Sequence, residues 1–124
     1  MACERVLVVE DNEMNMKLVR DVLHAKGFTT LAAVTGEKGI SLALEHLPSL
    51  VLMDVQLPGI DGMEALARIR ADDRTASIPV VAVTAQAMHG DRERFLEAGF
   101  DAYLSKPVDV FELIGTVREL CRES

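Results

Sequence analysis

The feature that most constrains the fold of this chain is the stretch from Leu50 to Pro58, where an unbroken apolar run ends on one carboxylate, Asp54. A continuous run of valine, leucine and methionine predicts a strand that is buried on both faces of a parallel sheet. Asp54 then lies at the carboxyl end of that strand. Because open α/β sheets bind ligands just outside these strand ends, we interpret Asp54 as a functional residue rather than a packing residue.

Further apolar runs indicate a five-stranded sheet. The predicted strands are residues 6–9, 31–34, 50–53, 80–83 and 102–104. The segments between them have helical spacing, and in the first of these the expected buried stripe is Met14, Leu18 and Val22. Strict alternation of strands and helices predicts right-handed crossovers and the doubly wound α/β class. For 124 residues we predict a single domain, 1–124, with a flavodoxin-like (βα)5 sandwich and a parallel sheet of order 2-1-3-4-5.

Capping signals support the predicted helix boundaries. Asp61 and Asp109 each precede a helical segment and have a glutamate three residues later, which is the acidic form of a capping box. Gly27 and Gly99 lie where the first and fourth helices would end. These positions predict where the chain turns between the layers of the sandwich.

Composition excludes several classes of function. The net charge of -7 disfavours direct binding to nucleic acid, and no apolar run approaches the roughly 18 residues of a membrane span. Cys3 and Cys121 lack the CxxC spacing of a metal or redox site. We therefore interpret both as reduced thiols and expect a cytoplasmic protein that does not bind membranes.

Polar groups follow four of the five predicted strands. Glu10 and Asp11 follow the first strand, Asp54 the third, Thr84 the fourth and Lys106 the fifth. With strand order 2-1-3-4-5 these groups converge on one edge of the sheet. Each alone is more simply a helix cap or a surface group, but their coincidence favours a site. Three close carboxylates repel one another unless a cation neutralises them, and a hard divalent ion such as Mg²⁺ suits oxygen ligands.

The sequence resembles the CheY-like receiver domain of two-component response regulators over essentially its whole length. The matching segments are Val-Val-Glu-Asp-Asn at 8–12, Met-Asp-Val-Gln-Leu-Pro-Gly-Ile-Asp-Gly at 53–62, Val-Thr-Ala at 83–85 and Tyr-Leu-Ser-Lys-Pro at 103–107. The variant at 10–18, together with Thr-Ala-Gln-Ala-Met at 84–88, is similar to DivK-like single-domain regulators and to receivers of hybrid histidine kinases.

This resemblance implies a phosphoacceptor signalling protein rather than an enzyme, with Asp54 as the acceptor. The donor would be a phosphohistidine on a histidine kinase or a histidine phosphotransfer protein, and Thr84 and Lys106 would bind the phosphoryl oxygens. The implied ligands of Mg²⁺ are Glu10, Asp11, Asp54 and the backbone carbonyl of Gln56. The resemblance also implies a cis peptide between Lys106 and Pro107, and slow self-dephosphorylation tuned by the side chains of Gln56 and Gln86.

The output is expected to be a protein contact through helix four, strand five and helix five. Thr84 would move towards the phosphoryl group and Tyr103 would turn inward, which makes these two residues the predicted switch. The residues expected on this face are Met88, His89, Arg92, Arg94 and Tyr103. A stand-alone regulator is favoured over a receiver excised from a hybrid kinase, because the chain starts at Met1 and its final helix is complete.

Rival functions need residues that this chain lacks. A magnesium-dependent aspartyl-phosphate phosphatase of the haloacid dehalogenase type requires a second aspartate two residues after the first, where this chain has Gln56. A flavodoxin-like electron carrier requires a phosphate-binding loop after the first strand, where Glu10 and Asp11 would repel the flavin phosphate. A P-loop motif is absent from the sequence. A purely interacting module remains open if the acidic site is vestigial.

Overall fold

The computed structural model describes residues 5–85 and 91–122, except for the side chains of residues 91, 92 and 122. Its strands are β1 Arg5–Val9, β2 Thr29–Ala33, β3 Leu50–Asp54, β4 Val80–Thr84 and β5 Ala102–Ser105. Its helices are α1 Glu13–Ala25, α2 Gly36–His46, α3 Gly62–Ala71, α4 Asp91–Ala98 and α5 Val110–Arg122. All strand pairs are parallel and the order is β2-β1-β3-β4-β5, so the predicted topology is confirmed.

Two apolar layers hold the helices on the sheet. One cluster packs α2, α3 and α4 against one face of the sheet, and the other cluster packs α1 and α5 against the opposite face. All five residues of β3 and of β4 are buried, as expected for central strands covered on both faces. Asp54 ends β3, and Glu10 and Lys106 directly follow β1 and β5, so all three lie at the carboxyl edge of the sheet.

The predicted caps are confirmed. The carboxylate of Asp61 accepts a hydrogen bond from the backbone N–H of Glu64 at 2.9 Å, and that of Asp109 accepts one from Glu112 at 2.9 Å. Gly27 has φ of 92° after α1, a left-handed conformation that glycine adopts without the usual steric cost. The local signals therefore place these helix ends correctly.

The predicted buried stripe of α1 is wrong for two of its residues. Met14 is 82% exposed and Leu18 is 42% exposed, whereas the buried positions are Met16, Val19 and Leu23. The helix begins after Asn12, whose side chain accepts the N–H of Asn15, and the neighbouring apolar stripe faces the sheet. Because α1 has two adjacent apolar stripes, periodicity alone could not identify the buried one.

The expectation of a reduced thiol is wrong for Cys121, which is disulfide-bonded. Cys3 lies outside the described residues. Cys121 is buried in the apolar cluster that packs α1 and α5 against the sheet. In the part of the chain that the structure describes, no helix is long and apolar enough to span a membrane.

Arg70, in the last turn of α3, links this helix to the segments that precede β4 and β5. Its guanidinium donates to the carbonyls of Ala76, Ile78 and Gly99 at 2.6 to 3.0 Å. It also pairs at 2.8 Å with the carboxylate of Asp101, which accepts the N–H of Val80. One partly buried side chain thus satisfies carbonyls in several segments that border β4 and β5.

We predict that Arg70→Met lowers the free energy of unfolding by about 2 to 4 kcal/mol, because several part-buried acceptors lose their donor. The matched control is Arg68→Met on the same helix. Its exposed ion pair with Glu64 at 3.1 Å should contribute less than about 1 kcal/mol. Urea denaturation of both variants checks this, and equal losses would contradict the role given to Arg70.

Candidate functional site

The segment between β1 and α1 places two carboxylates at the edge of the sheet. The cap of α1 is Asn12, so neither Glu10 nor Asp11 serves as the capping residue that the simpler interpretation suggested. Glu10 is only 4% exposed, and its side chain accepts the N–H of Asn12 at 3.1 Å, whereas Asp11 is exposed. One carboxylate is thus fixed in the interior and the other faces solvent.

Asp54 is the last residue of β3 and is 3% exposed. One carboxylate oxygen, Oδ1, accepts the backbone N–H of Gln56 at 2.9 Å. The other, Oδ2, lies 3.0 Å from the Nζ of Lys106. Both oxygens therefore have a defined partner, which fixes the orientation of the carboxylate.

Lys106 bridges two strands of the site. Its Nζ lies 2.9 Å from Oε1 of Glu10 and 3.0 Å from Oδ2 of Asp54. Its backbone N–H donates to the carbonyl of Thr84 at 2.8 Å, and its peptide bond to Pro107 is cis, as the resemblance implied. The ammonium is thus held against both buried carboxylates.

The electrostatics of this cluster favour a protonated Lys106. Burial raises the pKa of Glu10, and the neighbouring Asp54 raises it further, although hydrogen bonds from Lys106 and from the N–H of Asn12 oppose the shift. Burial alone would lower the pKa of Lys106, but its pairing with Glu10 and Asp54 outweighs that effect and the pKa is raised. Removing either carboxylate would weaken the hold on this lysine.

The three carboxylates are close enough to share one cation. Glu10, Asp11 and Asp54 each offer an oxygen, and these oxygens lie within 4.8 Å of one another. Lys106 compensates only part of their combined negative charge. An all-oxygen donor set with a solvent-facing side suits Mg²⁺, which keeps some of its water and is often completed by phosphate oxygens. The residues present therefore fit the predicted metal.

The other predicted site residues lie at the same edge or outside the described region. Thr84 is buried at the end of β4, next to Ser105 of β5 in register. Tyr103 is half-buried on β5, and its ring stacks on Phe95 with centroids 5.6 Å apart. The predicted residues outside the described region are Gln86, Met88, His89 and the side chain of Arg92.

Sequence reasoning missed a groove beside the acidic site. A cavity of about 700 Å³ extends from Glu10 and Asp11 between α1 and β2, and Met14 lies on its wall. Phe111, in the first turn of α5 after Lys106, is 88% exposed. Two apolar side chains thus stand near the edge that holds the carboxylates. The available signal was the second apolar stripe of α1, which exceeds what one buried face needs.

The chemistry that this site supports is attack by a carboxylate on an electrophile that carries negative charge. Asp54 is oriented by the Gln56 N–H and by Lys106, and the adjoining carboxylates can hold a cation. Phosphoryl transfer needs such positioning and charge neutralisation more than it needs covalent assistance.

Comparison with known proteins agrees with this geometry. The family model of the response regulator receiver domain matches residues 6–118 of this chain. The polar-differentiation response regulator DivK of Brucella anthropi is 48% identical over 113 residues, which are 91% of this chain and 92% of that protein. The DivK of Brucella abortus is 47% identical over the same shares of the two chains.

Among solved structures, the receiver domain of a sensor histidine kinase from Pseudomonas aeruginosa PAO1 has a TM-score of 0.89 and 33% identity. The match covers 98% of this chain and 99% of that one, whose active-site cleft coordinates a magnesium ion. The family match over most of the chain, the DivK relatives and the strand-end site together lead to one conclusion: this chain belongs to the response regulator receiver domain family, and it works in phosphorylation-based two-component signalling.

Proposed function

We propose that Asp54 is the phosphoacceptor of this receiver domain. The proposal rests on the position of the buried Asp54 carboxylate. One of its oxygens lies 3.0 Å from the Nζ of Lys106, and it shares the edge of the sheet with the carboxylates of Glu10 and Asp11. The donor is a phosphohistidine on a histidine kinase or a histidine phosphotransfer protein. A bond forms between an Asp54 oxygen and phosphorus while the bond from phosphorus to the histidine nitrogen breaks, and the electron pair returns to the imidazole.

The residues around Asp54 have separate roles in this transfer. Lys106 stays protonated and offsets negative charge on the incoming group, as its raised pKa supports. Thr84 would bind a phosphoryl oxygen from the end of β4. The Gln56 N–H holds one oxygen of the Asp54 carboxylate in place. These groups position and neutralise, and none has to exchange a proton in the step.

We propose Mg²⁺ as the cofactor. Its ligands would be Glu10, Asp11, Asp54 and the backbone carbonyl of Gln56. When bound, the ion supplies the positive charge that lets a phosphate dianion approach ionised carboxylates. The magnesium in the cleft of the Pseudomonas receiver supports this assignment.

The donor protein would approach over the exposed apolar residues at this edge. Met14 and Phe111 are the most exposed large apolar side chains among the described residues. They lie in the first turns of the helices that follow Glu10 and Lys106. A protein donor can cover such residues, whereas a small phosphodonor leaves them exposed to water.

The proposed output surface is the face formed by α4, β5 and α5. Tyr103 lies in a groove of about 300 Å³ together with Leu96, Glu112 and Leu120. Phosphorylation would draw Thr84 towards the phosphoryl group and turn Tyr103 inward, so a local charge biases a two-state surface. Arg94 lies 4.9 Å over the Phe95 ring on the same helix, beside the stacked Tyr103.

Further assignments belong to the same proposal. The chain acts as one receiver domain over residues 1–124, and it acts in the cytoplasm. It is a phosphoacceptor and not an enzyme with turnover on a separate substrate. Its aspartyl phosphate is lost slowly by self-dephosphorylation, which the side chains of Gln56 and Gln86 tune by screening water.

We predict that Asp54→Asn abolishes labelling by acetyl phosphate or a phosphorylated kinase, because the amide is not a competent nucleophile. The control is Asp61→Asn, which keeps a residue able to cap α3 and should label like the original chain. Intact-protein mass spectrometry measures the incorporated phosphoryl group. Labelling of the Asp54 variant at the original stoichiometry would refute the assignment.

We predict that labelling requires a divalent cation and stops in excess EDTA.

Affinity for Mg²⁺ should fall as the pH falls, since protonated Glu10 is a poor ligand. Because burial raises the pKa of Glu10, this loss should begin at a higher pH than an ordinary glutamate would give. Calorimetric Mg²⁺ titrations from pH about 8 to about 5 test this against Glu10→Gln, which should bind more weakly with a flatter pH profile.

We predict that Thr84→Ala still accepts the phosphoryl group, more slowly, but loses phosphorylation-dependent binding to its partner. The reason is that the hydroxyl couples the phosphoryl group to Tyr103, whereas Asp54 performs the attack. Calorimetry with the cognate kinase compares untreated protein with beryllofluoride-treated protein. If the untreated and the beryllofluoride-treated original chain bind the kinase with equal affinity, the proposed switch is contradicted.

A further inference from the structure

Gly62, the first residue of α3, lies against the main chain that carries Asp54. A Cβ atom at position 62 would lie 2.7 Å from the Cα of Val55 and 2.8 Å from the carbonyl oxygen of Asp54. Both distances are shorter than real Cβ contacts, and both partners are backbone atoms that cannot rotate away. Helix α3 can therefore occupy this position only because residue 62 has no side chain.

Hydrogen bonds hold the same stretch of main chain from two sides. The Gly62 N–H donates to the carbonyl of Val55 at 2.9 Å, and the Val55 N–H donates to the carbonyl of Val83 on β4 at 2.9 Å. The next peptide N–H, that of Gln56, donates to Oδ1 of Asp54 at 2.9 Å. Val55, which links Asp54 to Gln56, is thus held by hydrogen bonds to both α3 and β4.

Helix α3 has little freedom to move away from this contact. Asp61 caps it through the Glu64 N–H, and Leu66 and Ile69 are buried against the sheet. Arg70 fastens its last turn to carbonyls near β4 and β5. A side chain at position 62 would therefore displace the end of β3 as well as the helix.

We propose that Gly62 is a positioning residue for phosphoryl transfer: it lets α3 pack directly on residues 54–56, and this contact sets the direction of the Asp54 carboxylate and of the Gln56 carbonyl. A shift of a fraction of an ångström at a nucleophile is costly, because transfer depends on in-line placement. This inference rests on the proposed function of Asp54.

Other glycines provide matched variants. A Cβ at Gly39 would lie 2.8 Å from Cγ2 of Val9, an equally short distance but to a side chain that can adjust. Val9 also precedes Glu10, so this control disturbs a position just as close to the site. A Cβ at Gly115 in α5 would meet nothing within 4 Å, so Gly115→Ala should stabilise the helix and provides a robust background.

The experiment places Gly62→Ala and Gly39→Ala separately in the Gly115→Ala background. Urea denaturation gives the folded fraction of each protein. The initial rate of labelling by acetyl phosphate and the calorimetric Mg²⁺ dissociation constant are then expressed per folded molecule. We expect Gly62→Ala to label at least about tenfold more slowly and to bind Mg²⁺ more weakly, with Gly39→Ala within about twofold of the background.

Each other result has a definite meaning. Equal rates and Mg²⁺ affinities in the two variants, after correction for folded fraction, would overturn the positioning role. Failure of Gly62→Ala to fold even in the stabilised background would also overturn it, because the glycine would then be required for folding itself. If Asp54→Asn labels like the original chain, the proposed function fails, whereas normal Asp54 dependence with an unaffected Gly62→Ala refutes this inference alone.

Discussion

The repulsion among carboxylates at one edge of the sheet is the constraint on which the site depends. Two of the three, Glu10 and Asp54, are buried, and charges in a poorly solvated space interact strongly. Lys106 reaches both within 3.0 Å and makes the arrangement tolerable, but it leaves the cluster with net negative charge. The same excess of negative charge suits the cluster to a divalent cation, which is the ligand that we propose for it.

Strand order converts distant residues into this cluster. In the order β2-β1-β3-β4-β5, β1, which precedes Glu10, and β3, which ends at Asp54, are neighbours although α1, β2 and α2 separate them along the chain. The chain reverses direction of growth across the sheet at this point, so the loops after β1 and β3 diverge and leave a crevice. Lys106, which follows the edge strand β5, reaches the carboxylates of Glu10 and Asp54 and so borders one side of this crevice.

Much of the fold and the site could be predicted because the signals were local and mutually consistent. Four of the five strand ends were marked by the change from apolar to polar residues, and Asp61 and Asp109 cap helices as their sequence contexts indicated. The orientation of α1 could not be predicted, since Met14 and Met16 lie on competing apolar stripes. The close approach of Gly62 to Val55 and the disulfide bond of Cys121 depend on tertiary contacts, which no local sequence pattern records.

The site has two sides: one anchors Asp54 at the end of β3, and the other connects to the proposed output surface. Next to Asp54, the main chain of Val55 accepts a hydrogen bond from Gly62 and donates one to Val83, so the proposed acceptor is anchored to both α3 and β4. On the other side, the backbone of Lys106 is bonded to Thr84, and Tyr103, three residues earlier, stacks on Phe95 of α4. In the proposed switch, a phosphoryl group on Asp54 would act on Thr84 and Tyr103 and so change the face formed by α4, β5 and α5.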